Sequence, residues 1–446
     1  MKRGLPVVAV VGRPNVGKST FFNRVLGERR AIVEDVPGVT RDRNFARAEW
    51  AGHTFYLVDT GGLEPNSREV MPVAIRAQVE MALAEADAIV LLVDGRTGPH
   101  ADDELIAARL RRASVPVVLA VNKLDRIPDE TAQHDFWTLG LGEPHPVSSA
   151  VGKGSGDLLD AIVERLPVIA QDTDDAALYV AVIGKPNVGK SSFVNRLLGE
   201  DRMVVSEVAG TTRDSIDTPF RFHNRDLVFV DTAGLRRQAR IDPGLEYYAA
   251  LRTELAIERA DVCLLLVDAT EPVHVQDLKV AEKAWRAGCG LIIVANKWDL
   301  VAKETNTAVE FERTLHERAP SLRWVPTIFT SALTGVRVRK VLDLIIEVAA
   351  ARERRIPTNE VNDVLRALAQ RTMPPHFHGM AVKLLYATQV DVRPPTFVVF
   401  TNQPKGVPEH YLRYLMNGFR AAWQFHGTPI RLRLRARREQ HQERPS

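Results

Sequence analysis

The 446-residue sequence predicts an α/β fold laid down twice in tandem and followed by a small α+β unit. Three observations support this. Apolar runs of strand length, such as Ala88 to Val93, Val262 to Val267 and Leu291 to Val294, alternate with helical stretches, the pattern of a mostly parallel sheet covered on both faces. A glycine-rich loop of the form Gly-x-x-x-x-Gly-Lys-Ser occurs twice, at Gly12-Arg13-Pro14-Asn15-Val16-Gly17-Lys18-Ser19 and at Gly184-Lys185-Pro186-Asn187-Val188-Gly189-Lys190-Ser191. The two lysines lie 172 positions apart, and Asp59-Thr60-Gly61-Gly62 and Asp231-Thr232-Ala233-Gly234 keep that offset, the mark of a duplicated domain.

In the first copy a strand runs up to Gly12. A hairpin follows, with the stretches from Phe45 to Trp50 and from His53 to Val58 flanking Ala51-Gly52. This puts Asp59 at the C-terminal end of a strand, where sheets of this kind bind ligands. The second copy repeats the plan, with a hairpin across His223-Asn224 and strands ending at Asp231, Asp268 and Asn296. Between the copies, the stretch from Gln171 to Ala177 is polar, acidic and aperiodic, and reads as a linker. After Arg355 the pattern changes to αββαβ: a helix from Asn359 to Gln370, strands from Ala381 to Tyr386 and Thr396 to Phe400, a helix from Pro408 to Trp423, and a strand from Pro429 to Arg435. The expected boundaries are residues 1–168, an acidic linker at 169–177, residues 178–351, residues 352–438, and a disordered tail at 439–446.

A hydrophobic fraction of 45% with 26% charged residues is ordinary for globular material, and no apolar run is long enough to span a bilayer. Met1-Lys2-Arg3 imitates the start of a signal peptide, but the apolar stretch after it runs straight into the first glycine-rich loop without a cleavage site. A cytoplasmic protein is expected, with no membrane and no DNA partner. Cys263 and Cys289 sit in or beside predicted strands and read as small apolar residues rather than a disulfide or metal site. The formal net charge of +3 is unevenly spread, since sixteen Lys/Arg face seven Asp/Glu from Arg352 onward.

Glycines in such a loop let backbone N–H groups turn inward around phosphates, at the positive end of the following helix. Lys18 and Lys190 then reach the β and γ phosphates, and the Ser19 and Ser191 hydroxyls bind Mg2+. Asp59 and Asp231 hold the same metal, and Thr40 and Thr212, again 172 apart, suit a loop that carries a hydroxyl to Mg2+ and the γ-phosphate. The base is identified by Asn122-Lys123-Leu124-Asp125 and Asn296-Lys297-Trp298-Asp299, each directly after an apolar strand. A carboxylate there accepts from both N1–H and the amine of guanine, whereas adenine would face it with an acceptor. Ser149-Ala150 and Ser331-Ala332 offer a backbone N–H to the guanine carbonyl. The fold class is therefore two tandem P-loop GTPase domains, binding GTP and GDP.

Leu63 and Leu235 stand where many GTPases place a glutamine that orients the attacking water, so hydrolysis needs another group or ion. Asn15 and Asn187 are candidates to coordinate a monovalent cation such as K+, but each equally suits a turn after proline. Arg41 and Arg213 are either arginine fingers or solvated side chains. His376 and His378 lack further metal ligands nearby in sequence.

Two GTPase motif sets in one chain, Pro-Asn-Val-Gly-Lys-Ser in both loops, leucine after both Asp-x-x-Gly motifs and a basic αββαβ end together resemble the Der (EngA) family. The resemblance covers nearly the whole chain. It implies a ribosome-associated bacterial GTPase that assists late maturation of the large (50S) subunit, with rRNA and ribosomal proteins as partners. It also implies a KH-like third domain and K+-stimulated hydrolysis, the cation-binding asparagines falling on Asn15 and Asn187. RNA-binding KH domains clamp the backbone with a G-x-x-G loop, and residues 352–438 contain none. A second surface is the last strand, where Arg431, Arg433, Arg435 and Arg437 share one face and either meet rRNA phosphates or pack against a G domain. The alternative to a switch is a GTP-binding scaffold with little intrinsic hydrolysis, or another translation-related GTPase.

Overall fold

The computed structural model describes residues 5–27, 45–60, 79–80, 82–84, 86–125, 127–167, 177–200, 217–223, 225–232, 246–302 and 306–436. The chain divides into two compact units, Met1–Thr173 with Asp242–Leu251, and Asp174–Ile241 with Arg252–Ser446. No helix among the described residues is long and apolar enough to cross a membrane.

In the first repeat, β1 (Val7–Val11) leads into α1 (Lys18–Gly27), followed by β2 (Phe45–Trp50), β3 (His53–Asp59), β4 (Ala88–Asp94), α2 (Ala101–Leu110), β5 (Val117–Asn122), β6 (Pro144–Pro146) and α3 (Ser155–Val163). Among the described residues the sheet order is β2-β3-β1-β4-β5-β6, with only β2 antiparallel to its neighbour. Ala51 (φ 47°) and Gly52 (φ 79°) make the hairpin turn left-handed at both central positions, matching the twist of the flanking strands.

The second repeat comprises β7 (Leu178–Ile183), α4 (Lys190–Glu200), β8 (Thr218–Phe222), β9 (Arg225–Val230), α5 (Glu246–Arg259), β10 (Val262–Asp268), α6 (Val275–Ala287), β11 (Gly290–Asn296), α7 (Thr307–Arg318), β12 (Thr327–Phe329) and α8 (Lys340–Glu353). Its sheet order, β12-β11-β10-β7-β9-β8, is the same plan. The unbroken apolar runs are explained by burial on both faces. Along β10, Leu264 and Leu266 join one core cluster while Cys263 and Leu265 join the other. Both cysteines are buried and neither is in a disulfide, and Cys289 Sγ donates to the carbonyls of Ile257 and Ala260.

The C-terminal part runs α9 (Thr358–Arg371), β13 (His376–Phe377), β14 (Met380–Ala381), β15 (Leu384–Val392), β16 (Pro395–Thr401), α10 (Glu409–Trp423) and β17 (Arg431–Ala436), with a three-stranded sheet ordered β15-β16-β17. The expected αββαβ order holds, with two differences. Met380 and Ala381 pair with β13 instead of entering the main sheet, and His378 (φ 46°) and Gly379 (φ 76°) form the turn of that small hairpin. His376 thus belongs to the strand β13 and His378 to the turn after it, and no cluster of three or more metal-ligating side chains occurs among the described residues. The strand expected to end at Tyr386 continues to Val392 despite its polar residues. Buried Gln389 is satisfied by accepting from Ile356 N at 2.7 Å and donating to Arg354 O at 3.0 Å. Asn362 of α9 pairs with both backbone groups of Ala387 and so blocks part of the β15 edge.

This small unit is joined to the second repeat through backbone as well as side chains. Gly427 N donates to Trp324 O and Leu291 N to Gly427 O, each at 2.7 Å. Arg420 is buried beside the Trp285 and Trp324 rings, and donates to the carbonyls of Phe425 and Thr428. Arg431 donates to Arg286 O and Ala287 O, the carbonyl end of α6, where a cation is favoured. Part of the arginine stripe therefore packs against the α/β repeat. Arg437, linker residues 169–176 and the tail from 439 lie outside the described residues, and Ala177 packs against the core of the second repeat.

Candidate nucleotide sites

Each glycine-rich loop links a buried strand to a helix N-terminus. In the first, Val16 is fully buried and anchors the loop, while the ammonium of Lys18 donates to Gly12 O at 2.7 Å and Arg13 O at 2.9 Å. In the second, Lys190 donates to Gly184 O at 2.7 Å and Lys185 O at 2.6 Å. Burial pulls the Lys190 ammonium down to about 8, and the charge of Asp277 opposes the shift. Gly17 (φ 101°) leaves no room for a side chain, since a Cβ would stand 2.4 Å from Asn122 Nδ2; at Gly189 (φ 93°) it would stand 2.5 Å from Asn296 Nδ2. Asn15 (φ 65°) and Asn187 (φ 66°) are exposed and left-handed, a conformation asparagine tolerates well.

The asparagines that end β5 and β11 connect the phosphate loop to the base-reading loop. Asn122 donates to Val16 O at 2.8 Å and accepts from the backbone N and hydroxyl of Ser149, each at 2.9 Å. Asn296 donates to Val188 O and accepts from Ala332 N, each at 2.9 Å. Lys123 Nζ bridges Asn15 O at 2.7 Å and Asp94 at 2.6 Å, and Lys297 Nζ meets Asp268 at 2.6 Å. Burial raises the Asp268 carboxyl, but hydrogen bonds from Lys297 and Thr270 outweigh it and leave the group below its ordinary value. Leu124 N and Trp298 N tie the loops to Val147 O and Thr330 O.

The two base-reading carboxylates differ. Asp125 accepts from the Ser148 hydroxyl at 2.6 Å and pairs with Arg96. Thr270 occupies the corresponding place in the second copy and bonds Asp268 instead. Half-buried Asp299 has no hydrogen-bond partner among the described residues.

The fold corrects one pairing expected from sequence. Ser331 N donates to Val336 O, and its Oγ and O accept from the N–H groups of Thr334 and Gly335. In the first copy these bonds are made by Ser148, to Lys153 O and from Val151 and Gly152. Ser148-Ser149 therefore takes the place of Ser331-Ala332, and Ala150 falls one residue beyond it. The left-handed glycines Gly152 and Gly335 mark the true register, whereas the doubled serine concealed it.

On the metal side, Asp59 is buried at the end of β3, and the Thr60 hydroxyl donates to Val10 O at 2.7 Å. The second copy departs from the expected strand end. β9 stops at Val230, Asp231 turns left-handed (φ 56°) with its N–H on Asp217, and Thr232 pairs with Thr218. Ser19 and Ser191 lie in the first turns of α1 and α4. Thr40, Arg41, Gly61, Gly62, Leu63, Thr212, Arg213, Ala233, Gly234 and Leu235 lie outside the described residues.

One element of the site was not anticipated. Asp103, fully buried in the first turn of α2, accepts from Arg13 at 3.3 Å and from the backbone of His100, which caps that helix. Asp277 does the same for Lys185, at 3.2 Å, and His274. The recurrence of His-x-x-Asp at 100–103 and 274–277 was the available sequence signal.

These features fit a bound nucleotide with its metal. The loop glycines leave space that a Cβ would fill, an ammonium sits at each loop, and a carboxylate ends the neighbouring strand in the first copy and directly follows it in the second. The sheet plan, paired phosphate loops and paired Asn-Lys-x-Asp segments define a tandem P-loop GTPase. Residues 7–123 and 179–297 match the family described as 50S ribosome-binding GTPase, and residues 355–435 match the KH-domain-like C-terminal family of EngA bacterial GTPase enzymes. GTPase Der of Gemmatimonas aurantiaca is 56% identical over 97% of this chain and 99% of its own length. GTPase Der of Moorella thermoacetica is 51% identical over the same shares. The chain belongs to the GTPase Der family, and is a GTP-binding and GTP-hydrolysing enzyme. Its substrate and product are GTP and GDP, bound with Mg2+.

Proposed function

We propose that this GTPase is a cytoplasmic, ribosome-associated switch that assists late assembly of the large (50S) ribosomal subunit, meeting rRNA and ribosomal proteins. The reading rests on one observation above all: two GTPase motif sets share a chain with a basic KH-like unit, in a family whose GTPase region is described as 50S ribosome-binding. Its domains are taken as residues 1–168, 178–351 and 352–438. Lys18 and Lys190 hold the β and γ phosphates, while Asn122-Asp125 and Asn296-Asp299 read guanine. Ser148-Ser149 and Ser331-Ala332 support the base loop.

Ser19, Thr40 and Asp59, and Ser191, Thr212 and Asp231, are the groups to hold Mg2+, which neutralises charge on the phosphates when bound. Asn15 and Asn187 hold K+ near the same phosphates, in place of the glutamine that Leu63 and Leu235 replace. Ordering of the segments around Thr40 and Thr212 by the γ-phosphate changes how the domains pack and so the affinity for the particle.

Sedimentation of the purified chain with 50S particles tests this in GDP, in a non-hydrolysable GTP analogue and without nucleotide. Tight binding in the triphosphate state alone is expected. Equal binding in all three states would remove the switch.

A further inference from the structure

The two faces of the sheet β15-β16-β17 differ in character. Ala387, Phe397, Val399, Leu432 and Leu434 face the core. On the opposite face the strand register aligns Tyr386, Phe400 and Arg435 in one row and Thr388, Val398 and Arg433 in the next. Tyr386 and Phe400 stack with centroids 4.3 Å apart and planes 12° from parallel. Tyr386, on the edge strand, remains 42% exposed, and Arg433 and Arg435 are exposed beside it. Neither arginine has an ion-pair partner among the described residues, in contrast to Arg431, which is taken up by the end of α6.

Neither row contains an acid. An open aromatic stack bordered by two unpaired guanidinium groups offers a surface for a base and charge for its phosphates, the two requirements of single-strand binding. An apolar protein partner would not need the cations, and a duplex would not use the ring.

We infer that this face is a docking surface for single-stranded RNA. A base extends the Tyr386–Phe400 stack, and the flanking phosphates meet Arg433 and Arg435, about 7 Å apart along the strand. The groove that a G-x-x-G loop would serve is not used. Where such RNA is encountered rests on the ribosomal reading above; the chemistry of the face does not.

The test uses the full chain and a fluorescein-labelled single-stranded RNA of about twelve nucleotides, followed by anisotropy at two salt concentrations, with 50S sedimentation in parallel. Tyr386→Ala is expected to weaken RNA binding roughly tenfold, and Tyr386→Phe to hold within about twofold. Arg433→Gln with Arg435→Gln should weaken it and flatten the salt dependence by about 1.4 in log–log slope. Steady-state GTP hydrolysis without ribosomes should be unchanged, which shows that the variants are folded. Unchanged RNA affinity in both the alanine and the double arginine variants would overturn the proposal. So would variants that lose the particle when the parent binds no free RNA, since the face would then meet protein. If the RNA arm behaves as expected but the parent never sediments with particles, the surface stands and the ribosomal reading falls.

Discussion

Asp277 accepts from Lys185 at 3.2 Å in the second nucleotide site as Asp103 accepts from Arg13 at 3.3 Å in the first. Each acid also caps its own helix, so one carboxylate fixes a helix start and the residue after the first loop glycine together. The duplication has kept the whole arrangement while exchanging arginine for lysine. In the second copy the carboxylate has a further effect, because its charge supports protonation of Lys190.

Lys190 loses its proton near pH 8, so nucleotide binding at the second site should be pH-dependent. Above that pH the neutral amine must take up a proton to meet a phosphate, and affinity should fall by about tenfold per unit. Asp277→Asn should move the onset to lower pH. A fluorescent non-hydrolysable GTP analogue, titrated on a Lys18→Ala background, reports this site alone; constant affinity to about pH 9.5 would refute the assignment. Stability of the empty fold moves the other way. Between about 8 and the ordinary 10.5 the unfolded chain binds more protons, so stability rises with pH.

The residues legible in the sequence were those whose spacing is fixed locally: the phosphate loops, the Asn-Lys-x-Asp segments and the strands before them. The Asp103–Arg13 tether spans 90 positions and depends on how α2 packs beside the loop, which no local pattern states. The Ser148 register was hidden by a second serine, and β15 by polar residues whose partners come from distant segments. The arginine stripe was legible as a stripe. Only the fold shows that Arg431 faces a helix end while Arg433 and Arg435 remain open.

The left-handed backbone at Asn15 and Asn187 decides how the K+ proposal must be tested. Alanine at φ near 65° introduces backbone strain of about 1 kcal/mol in addition to removing the carboxamide. Glycine removes the carboxamide without that strain. With K+ bound as proposed, Asn15→Gly and Asn187→Gly should retain GTP affinity within about threefold and lose most of the difference between hydrolysis in K+ and in Na+ at equal ionic strength. If only the alanine variants lose activity, the asparagines serve the turn.

Arg96 makes the two base sites unequal. Its guanidinium pairs with Asp125, the carboxylate that must accept from guanine, whereas Thr270 leaves Asp299 alone. The pair is exposed and worth about 0–1 kcal/mol at most, so Arg96→Thr should tighten GDP at the first site by up to about fivefold, mainly at low salt. Calorimetric titration at two ionic strengths on a Lys190→Ala background would measure it. Weaker binding in Arg96→Thr would mean that the arginine contacts the nucleotide instead.

Arg352 and Asp261 form a buried pair at 2.8 Å, and both are tied to backbone: Arg352 to Gly288 O, and Asp261 to Tyr179 N. Gly288 lies against Pro394 and Arg431, so the pair underlies the place where the second α/β repeat meets the C-terminal unit. Removing one partner leaves a largely buried charge without its counter-ion. Arg352→Ala should therefore cost about 3–5 kcal/mol in urea unfolding at neutral pH. Asp261→Asn can still accept from Tyr179 N, and combined with Arg352→Ala it removes the stranded charge. The double variant should be more stable than the sum of the single losses predicts, by about 1–3 kcal/mol. Strict additivity would show that the pair contributes packing only. Because single domains have total stabilities of about 5–15 kcal/mol, the Arg352→Ala loss alone is enough to expose the junction to proteolysis.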